Sequence, residues 1–441
     1  MFLQRPSWVN KTQGPAFVLF AATSAFMTYF SMYAFRKPFA ASSYTSFDQA
    51  DWLVSYKVAL VLSQVFGYML AKFIGVKVIS EMRADKRQKA IIVMILGAEL
   101  SLILFAVLPI GINVVSLFFN GLSLGMIWGV VFSYLEGRRT TEILGAILSI
   151  TFILSSGVVK TVGRYLTNTL DVPELWMPAL TGLLFLPLLM LSVFCLNTIP
   201  NPDKSDIAAR QARVPMDGKA RVAFFKQYWF GISALVLSFL LFTGFRDFLD
   251  NFQAELWIAL GYGEEPTIFA YAGIRISLIV LIALAAMVYV KNNKTAFFVN
   301  HGFILFGIAL LGASTYAFEL KLLDAKAWMV LLGAGLYIAY IPYNCFLFDR
   351  MIAAVGGAAN VGFLLYLADS AGYIGSVGIL LYRTFAEPEL SWLSYFIATS
   401  YWVCMVTAVL VVSSLAYFTF ILSPKYSQKR ALANARLHPT N

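Results

Sequence analysis

The chain has 441 residues, of which 60% are hydrophobic and 13% are charged, and its formal net charge is +10. A soluble domain carries about 25% charged residues, so this composition excludes a soluble globular protein. It predicts an all-α membrane protein whose apolar surface faces lipid.

Twelve apolar runs follow one another along the chain. Each is long enough for the roughly 20 residues that a bilayer-spanning helix needs. We predict spans at 15–42, 52–75, 90–110, 112–134, 143–165, 177–198, 228–257, 267–290, 296–318, 327–347, 357–382 and 394–422. The longest polar segment separates the sixth run from the seventh. We therefore expect an N-terminal six-helix bundle (1–198), a cytoplasmic linker (199–227), a C-terminal six-helix bundle (228–422) and a cytoplasmic tail (423–441).

The lysines and arginines predict the orientation. Most of them lie in the segments on one side of the predicted membrane, together with both termini. Because positively charged loops stay in the cytoplasm, we expect both termini there and the chain in the cell membrane. This distribution explains the net charge without nucleic acid. The expected partners are the lipid bilayer and a small-molecule solute, and we expect a monomer.

The sequence offers few parts for catalysis. Cys195, Cys345 and Cys404 lie within apolar runs and lack the spacing of a metal site or a disulfide framework. The two histidines, His301 and His438, provide no metal or triad chemistry. We expect no enzyme activity, no metal and no cofactor. The chain also has no Gly-x-x-x-x-Gly-Lys run, which argues against ATP-driven transport.

Three short motifs recur in the same order in the two halves. Each pair is separated by about 210 to 216 residues, which indicates an internal duplication. The pairs are Phe35-Arg36-Lys37 with Phe245-Arg246-Asp247, Glu136-Gly137-Arg138-Arg139 with Asp349-Arg350, and Ser155-Ser156-Gly157 with Ser370-Ala371-Gly372. Two six-helix halves related by an axis along the membrane normal are the plan of Major Facilitator transporters.

The segment between the second and third runs resembles the glycine-and-basic loop signature of that superfamily. Gly67, Ala71, Gly75 and Lys77 match the pattern, whereas Lys72 stands where the pattern has an acidic residue. The resemblance implies the Major Facilitator fold with the usual ion pair of this loop rearranged. The candidate partners of Lys72 are Glu81, Glu136 and Glu142.

The first run carries a more specific resemblance. Tyr33-Ala-Phe-Arg36-Lys37-Pro-Phe39 is similar to the helix 1 signature of the organophosphate:phosphate antiporter family. That resemblance implies that Arg36 and Arg246 together hold a phosphate group. Over most of its length, through residues 132–141 and 348–350, the chain also resembles a bacterial Major Facilitator-like group with no assigned function.

Charged groups within the predicted membrane mark candidate sites, because they are costly unless they face a cavity or a partner. Tyr29, Tyr33 and Arg36 share one helix face, and the guanidinium fork suits a phosphate or carboxylate. Alternatively, the first helix ends at Phe35, and Arg36 and Lys37 are interfacial anchors.

The seventh run carries a mixed cluster. Asp250 stands four residues after Arg246, the spacing of an ion pair within a helix, and Asp247 is adjacent. The cluster is therefore a structural ion pair, an anion clamp or a site of proton coupling. In the eleventh run Asp369 is the best single candidate for a protonatable carboxylate, with Lys160 as a possible neighbouring cation.

These observations predict a secondary active transporter that moves a small anionic solute, phosphorylated or carboxylated, by alternating access. The predicted substrate-binding residues are Arg36, Lys37, Tyr33, Lys160, Arg246, Asn344 and Tyr373. The proton-coupling candidates are Asp369, Asp247 and Asp250. The gating candidates are Lys72, Glu136, Arg138, Arg139, Asp349 and Arg350, which otherwise serve topology and helix capping.

Two alternatives stay open. One is a proton-coupled carrier of a neutral or cationic solute, in which Arg36 is structural. The other is a non-transporting membrane sensor or assembly factor built on the same fold.

Overall fold

The computed structural model describes residues 14–48, 52–136, 138, 140–200, 218–287, 289–356, 361–387 and 389–423. Within these residues, twelve helices are long and apolar enough to cross a membrane, which confirms the predicted number. We number them spans 1 to 12 in chain order. The end of the bundle that carries residues 200 and 218 is called the linker side, and the opposite end the far side.

The helix bounds place most spans within a few residues of the apolar runs. Spans 1 to 6 contain the helices Pro15–Met32, Tyr56–Ser80, Arg87–Val107, Val114–Leu124 with Ile127–Leu135 (together span 4), Thr141–Leu170 and Met177–Asn197. Spans 7 to 12 contain Gly218–Asn251, Ile268–Met287, Asn293–Glu319, Ala325–Cys345, Val361–Phe385 and Trp392–Ile421. Two short helices, Gln253–Ala259 and Leu347–Val355, follow spans 7 and 10.

Span 1 differs most from its prediction. Its α-helix ends at Met32 and continues as a 3-10 turn, Tyr33–Phe35, and a second 3-10 turn covers Pro38–Ala41. The continuous helix predicted to residue 42 was therefore wrong. Pro38 has no N–H to donate, and its ring clashes with the carbonyl four residues earlier, so the α-helix cannot continue through it.

Span 7 begins before its predicted start. Helical structure runs from Gly218, within the segment predicted as linker, and the backbone kinks at Tyr228, where φ is −122°. Tyr228 is the residue at which the apolar run begins. The last ten residues of the predicted linker are therefore a helical extension that meets span 7 at an angle.

The two halves repeat one packing scheme. Span 1 packs against spans 5 and 6, and span 7 packs against spans 11 and 12 in the same way. The halves meet most closely where span 5 crosses span 8. At this crossing a Cβ atom on Gly157 would lie 2.6 Å from the carbonyl oxygen of Phe269, so only glycine permits this approach. Spans 2 and 11 face each other less closely across a central cavity.

Candidate functional site

A cavity between the two halves contains about 850 Å³ of empty space, counted out to its open mouth. Spans 1, 2, 4 and 5 line it from one half, and spans 7, 10 and 11 line it from the other. Six tyrosines contribute to its wall, together with four cations and three carboxylates. The charged residues are Arg36, Lys37, Lys72, Arg246, Asp247, Asp250 and Asp369.

Arg36 follows the 3-10 turn of span 1, and its guanidinium reaches this cavity. The guanidinium carbon lies 4.0 Å from the ring centre of Tyr68 and 5.9 Å from that of Tyr33, so it stacks between aromatic rings. Among the described residues, Arg36 forms no ion pair, and its buried Nε has no hydrogen-bond partner. The cavity therefore contains an uncompensated guanidinium that can bind an anion with two parallel hydrogen bonds.

Two buried amides hold the broken turn that carries Arg36. Gln64 Nε2 donates to the carbonyl oxygen of Arg36 at 3.0 Å, and Asn120 Nδ2 donates to that of Phe35 at 2.9 Å. Gln64 Nε2 also donates to Asn120 Oδ1 at 2.8 Å. The break in span 1 frees these carbonyl groups from the helix. The amide pair satisfies them within the membrane, where an unsatisfied carbonyl is costly.

Arg246, the counterpart of Arg36 in the second half, lies in the same cavity with its charge already balanced. Its Nη2 is 2.6 Å from Asp247 Oδ1, and its Nη1 donates to the hydroxyl of Tyr340 at 2.5 Å. Asp247 also accepts a hydrogen bond from Ser376 at 2.6 Å. The ion pair suggested by the spacing of Arg246 and Asp250 does not form, because the guanidinium of Arg246 pairs with the adjacent carboxylate of Asp247.

Asp250 instead binds groups from the other half. Its carboxylate lies 2.6 Å from Lys37 Nζ and 2.7 Å from Lys160 Nζ, and it accepts from the Ser156 hydroxyl at 2.5 Å. All three donors belong to the N-terminal half. Lys160 is fully buried behind the cavity wall and is not among the lining residues. Its ammonium is therefore bound to protein, not placed where a solute would meet it.

A second ion pair closes the same side. Lys57 of span 2 lies 2.5 Å from Glu255, which belongs to the short helix after span 7. Lys57 is buried, and 10% of the Glu255 side chain is exposed. The chain reverses direction at each span, so Asp250 and Glu255 stand at the far side. The two halves are therefore joined by buried ion pairs on that side.

The linker side has a looser connection. Lys72 Nζ is 3.5 Å from Asp369 Oδ2, with 22% and 38% of the two side chains exposed. The structure pairs Lys72 with Asp369, which was not among its predicted partners Glu81, Glu136 and Glu142, and the side chain of Glu142 lies outside the described residues. The helix of span 2 continues to Ser80, so Lys72 lies inside it and faces span 11 across the cavity instead of lying in a loop. For the same reason, Asp369 has Lys72 as its neighbour and not Lys160.

Two other predicted gating residues, Arg138 and Arg350, each bind a residue of their own half. Arg138 donates to the carbonyl oxygen of Pro200, and Arg350 Nη1 donates to Asn293 Oδ1 at 2.5 Å. Asp349 belongs to the short helix Leu347–Val355, and Glu136 follows span 4. Arg139 lies outside the described residues.

Of the predicted substrate-binding residues, Tyr33, Arg36, Lys37, Arg246, Asn344 and Tyr373 all line the cavity. Sequence reasoning missed Tyr68, Gln64 and Asn120. The two amides carried a signal, since each is a polar side chain inside an apolar run. Among the described residues, no group of histidine, cysteine, aspartate and glutamate could hold a metal ion.

The chain matches a known protein family in sequence and a known fold in structure. The profile of a family of unknown function, DUF5690, matches residues 38–420. No curated protein matches the sequence significantly.

Three solved structures resemble the chain over most of its length. The first is a proton:xylose symporter of the major facilitator superfamily bound to 6-bromo-6-deoxy-D-glucose, with a TM-score of 0.57 and 14% identity over 95% of this chain and 97% of the symporter. The second is a human organic anion transporter, with a TM-score of 0.56 and 14% identity over 91% of this chain and 100% of the transporter. The third is a POT family transporter in complex with a thioalcohol-conjugated peptide, with a TM-score of 0.58 and 13% identity over 91% of this chain and 96% of the transporter. These likenesses show that the chain has the Major Facilitator fold, as its motifs predicted. The resemblance to organophosphate antiporters stays a prediction.

Proposed function

We propose that this chain, which belongs to the family of unknown function DUF5690 and has the Major Facilitator fold, is a secondary active transporter of a small organic anion. The observation that carries the proposal is Arg36, a half-buried guanidinium that faces the central cavity without an ion pair among the described residues. A charge in the membrane interior is costly unless a partner compensates it. An anionic solute supplies that partner.

The tyrosines narrow the solute further. Tyr33 and Tyr68 lie beside the guanidinium, and Tyr337, Tyr340 and Tyr373 line the opposite wall. Phenol groups offer hydroxyls for hydrogen bonds and ring faces for stacking. A phosphorylated or carboxylated molecule with a hydroxylated or cyclic body matches this wall, and Asn344 adds an amide to it.

The difference between the two sides supports alternating access. Buried ion pairs join the halves on the far side, whereas the ion pair that joins them on the linker side, among the described residues, is the partly exposed pair of Lys72 and Asp369. We infer that this conformation is open toward the linker side. The positive charge of the linker and tail supports assigning that side, with both termini, to the cytoplasm of a cell-membrane protein. The opposite conformation requires the Asp250 contacts to break and the linker side to close.

The predicted proton-coupling carboxylates fit gating better than protonation. Asp247 pairs with Arg246, Asp250 with Lys37 and Lys160, and Asp369 with Lys72. Each of these carboxylates therefore has a cationic partner within 3.5 Å in this conformation. We assign Asp250 to the far-side closure, Lys72 and Asp369 to the linker-side closure, and Asp247 to holding Arg246.

A screen of ligands on purified protein tests the substrate class. Glucose 6-phosphate, succinate, inorganic phosphate and neutral glucose are added separately, and the shift in thermal unfolding temperature is measured. We expect an anion to stabilise the wild type and to lose its effect in Arg36→Gln. Stabilisation by glucose alone would instead support the alternative function, a carrier of a neutral solute.

A further inference from the structure

We infer that Glu99, a residue of span 3 outside the cavity, is a proton-binding site of this carrier. The inference rests on the proposed transport function for its role in the cycle, but the site itself is defined by geometry. Glu99 is 5% exposed, and both carboxyl oxygens are buried without a hydrogen-bond partner among the described residues. No other aspartate or glutamate in the described part of the chain has both oxygens buried and unpartnered.

The carboxyl group of Glu99 packs against Gly182, close to the ring of Phe35. Its Oε2 occupies the space that Gly182 of span 6 leaves free, since a Cβ atom on Gly182 would lie 2.4 Å away from that oxygen. The same Cβ would be 3.0 Å from the ring of Phe35, which belongs to the broken turn of span 1. On the span 4 side, Asn120 directs its amide to the carbonyl oxygens of Ala98 and Phe35, not to the carboxyl group.

Burial without a hydrogen-bond partner or a cation determines the protonation state of Glu99. Glu99 forms no ion pair among the described residues, and neither of its carboxyl oxygens has a hydrogen-bond partner there. An ionised carboxylate without a cation or hydrogen-bond donor is very costly in an apolar environment, so the group takes up a proton instead. We therefore assign the protonated form to Glu99 in this conformation. The proton comes from water and forms an O–H bond to one carboxyl oxygen, and its release returns it to water.

The position of Glu99 links this proton to the solute site. Asn120 Nδ2 donates both to Ala98, the residue before Glu99, at 3.2 Å and to Phe35, the residue before Arg36, at 2.9 Å. The Phe35 ring packs beside Gly182, against which the carboxyl group rests. When span 1 moves during alternating access, the apolar cover of Glu99 moves with the guanidinium. Exposure of the carboxyl group then releases the proton, so anion and proton movement become coupled.

Infrared difference spectroscopy of purified protein tests the site without any ligand. The spectrum of Glu99→Gln is subtracted from that of the wild type at neutral pH. We expect the difference to contain the carbonyl stretch of a neutral carboxylic acid. Glu265→Gln, which removes an exposed carboxylate paired with Lys326, is the matched control and should not show it. The inference is wrong if the band is missing from the wild type or persists unchanged in Glu99→Gln.

Transport measurements test the coupling. In proteoliposomes that exchange glucose 6-phosphate for inorganic phosphate, we expect an imposed pH difference to change uptake by the wild type and by the control Glu265→Gln. Glu99→Gln should bind and exchange the anion but lose this response. An unaltered response in Glu99→Gln would leave Glu99 as a purely structural acid and overturn the coupling. If neither anion binds the wild type, the proposed function fails for these solutes, whereas the infrared band still decides whether Glu99 holds a proton.

Discussion

Lys37 Nζ and Asp250 Oδ2 lie 2.6 Å apart, although the two residues belong to opposite halves of the chain. Lys37 follows the broken turn of span 1, and Asp250 stands near the end of span 7. Both also line the central cavity. A single carboxylate, shared with Lys160, therefore contributes to closing the far side while it lines the same cavity as Arg36.

Asp250→Asn should strongly destabilise the folded protein. It leaves Lys37 and Lys160 buried without a counter-charge, and breaking a buried ion pair on one side costs about 3–5 kcal/mol. We expect a clearly lower thermal unfolding temperature and easier separation of the halves on the far side, measured by labelling of a cysteine introduced there. Glu265→Gln, at an exposed pair, should change the unfolding temperature little. Equal effects of the two variants would contradict the role given to Asp250.

Arg36→Gln should remove anion binding without harming the fold. A hydrogen bond to a charged group contributes about 1.5–3 kcal/mol, which corresponds to a loss of affinity of roughly 10- to 100-fold. Because Arg36 has no ion pair to lose among the described residues, we expect the unfolding temperature without ligand to stay the same or rise. Arg36→Lys keeps the charge but not the planar fork, so it should bind the anion with intermediate affinity. Titration calorimetry measures all three proteins.

Asn120→Ala tests the support behind Arg36. The change leaves the carbonyl oxygen of Phe35 without its amide partner, and a buried unsatisfied group costs about 1–3 kcal/mol. We expect lower stability together with weaker anion binding, although no charge is removed. In a double-mutant cycle with Arg36→Gln, the effects on anion binding should be non-additive. Additive effects would mean that the amide does not position the guanidinium.

Gly157→Ala tests the closest approach of the two halves. The added Cβ would lie 2.6 Å from the backbone oxygen of Phe269, and backbone cannot yield as a side chain can. Overpacking of this kind costs about 1–3 kcal/mol, so we expect a lower unfolding temperature and impaired switching. Gly302→Ala is the control, because nothing lies within 4 Å of its Cβ position. That variant should be neutral or slightly stabilising.

Lys72 and Asp369 should affect gating more than stability. Their side chains are partly exposed and 3.5 Å apart, and ion pairs of this kind contribute about 1 kcal/mol or less. We expect Lys72→Asp to change the unfolding temperature little but to alter access of a thiol reagent to the cavity from the linker side. The charge-reversed double variant, with Asp369→Lys added, should restore wild-type labelling. If the double variant does not restore wild-type labelling, Lys72 and Asp369 do not act as a pair in gating.

The sequence by itself determined the membrane class, the number of spans and the duplication. Each of these follows from local composition or from short motifs, because a bilayer requires a long apolar segment for every crossing. It also identified Arg36 as a cation in an unusual place. The α-helix of span 1 was predicted too long, since the effect of Pro38 on the preceding turn competes with an uninterrupted apolar pattern.

Only the tertiary structure decided which charges compensate one another. Spacing along the seventh span suggested Arg246 with Asp250, whereas the folded chain pairs Arg246 with Asp247 and gives Asp250 to Lys37 and Lys160. Lys72 likewise pairs with Asp369, which lies nearly 300 residues later in the sequence. Ion pairs form between groups that packing brings within a few ångströms, and in a duplicated bundle those groups lie on different halves. The unpaired state of Arg36 and Glu99 depends on the same packing.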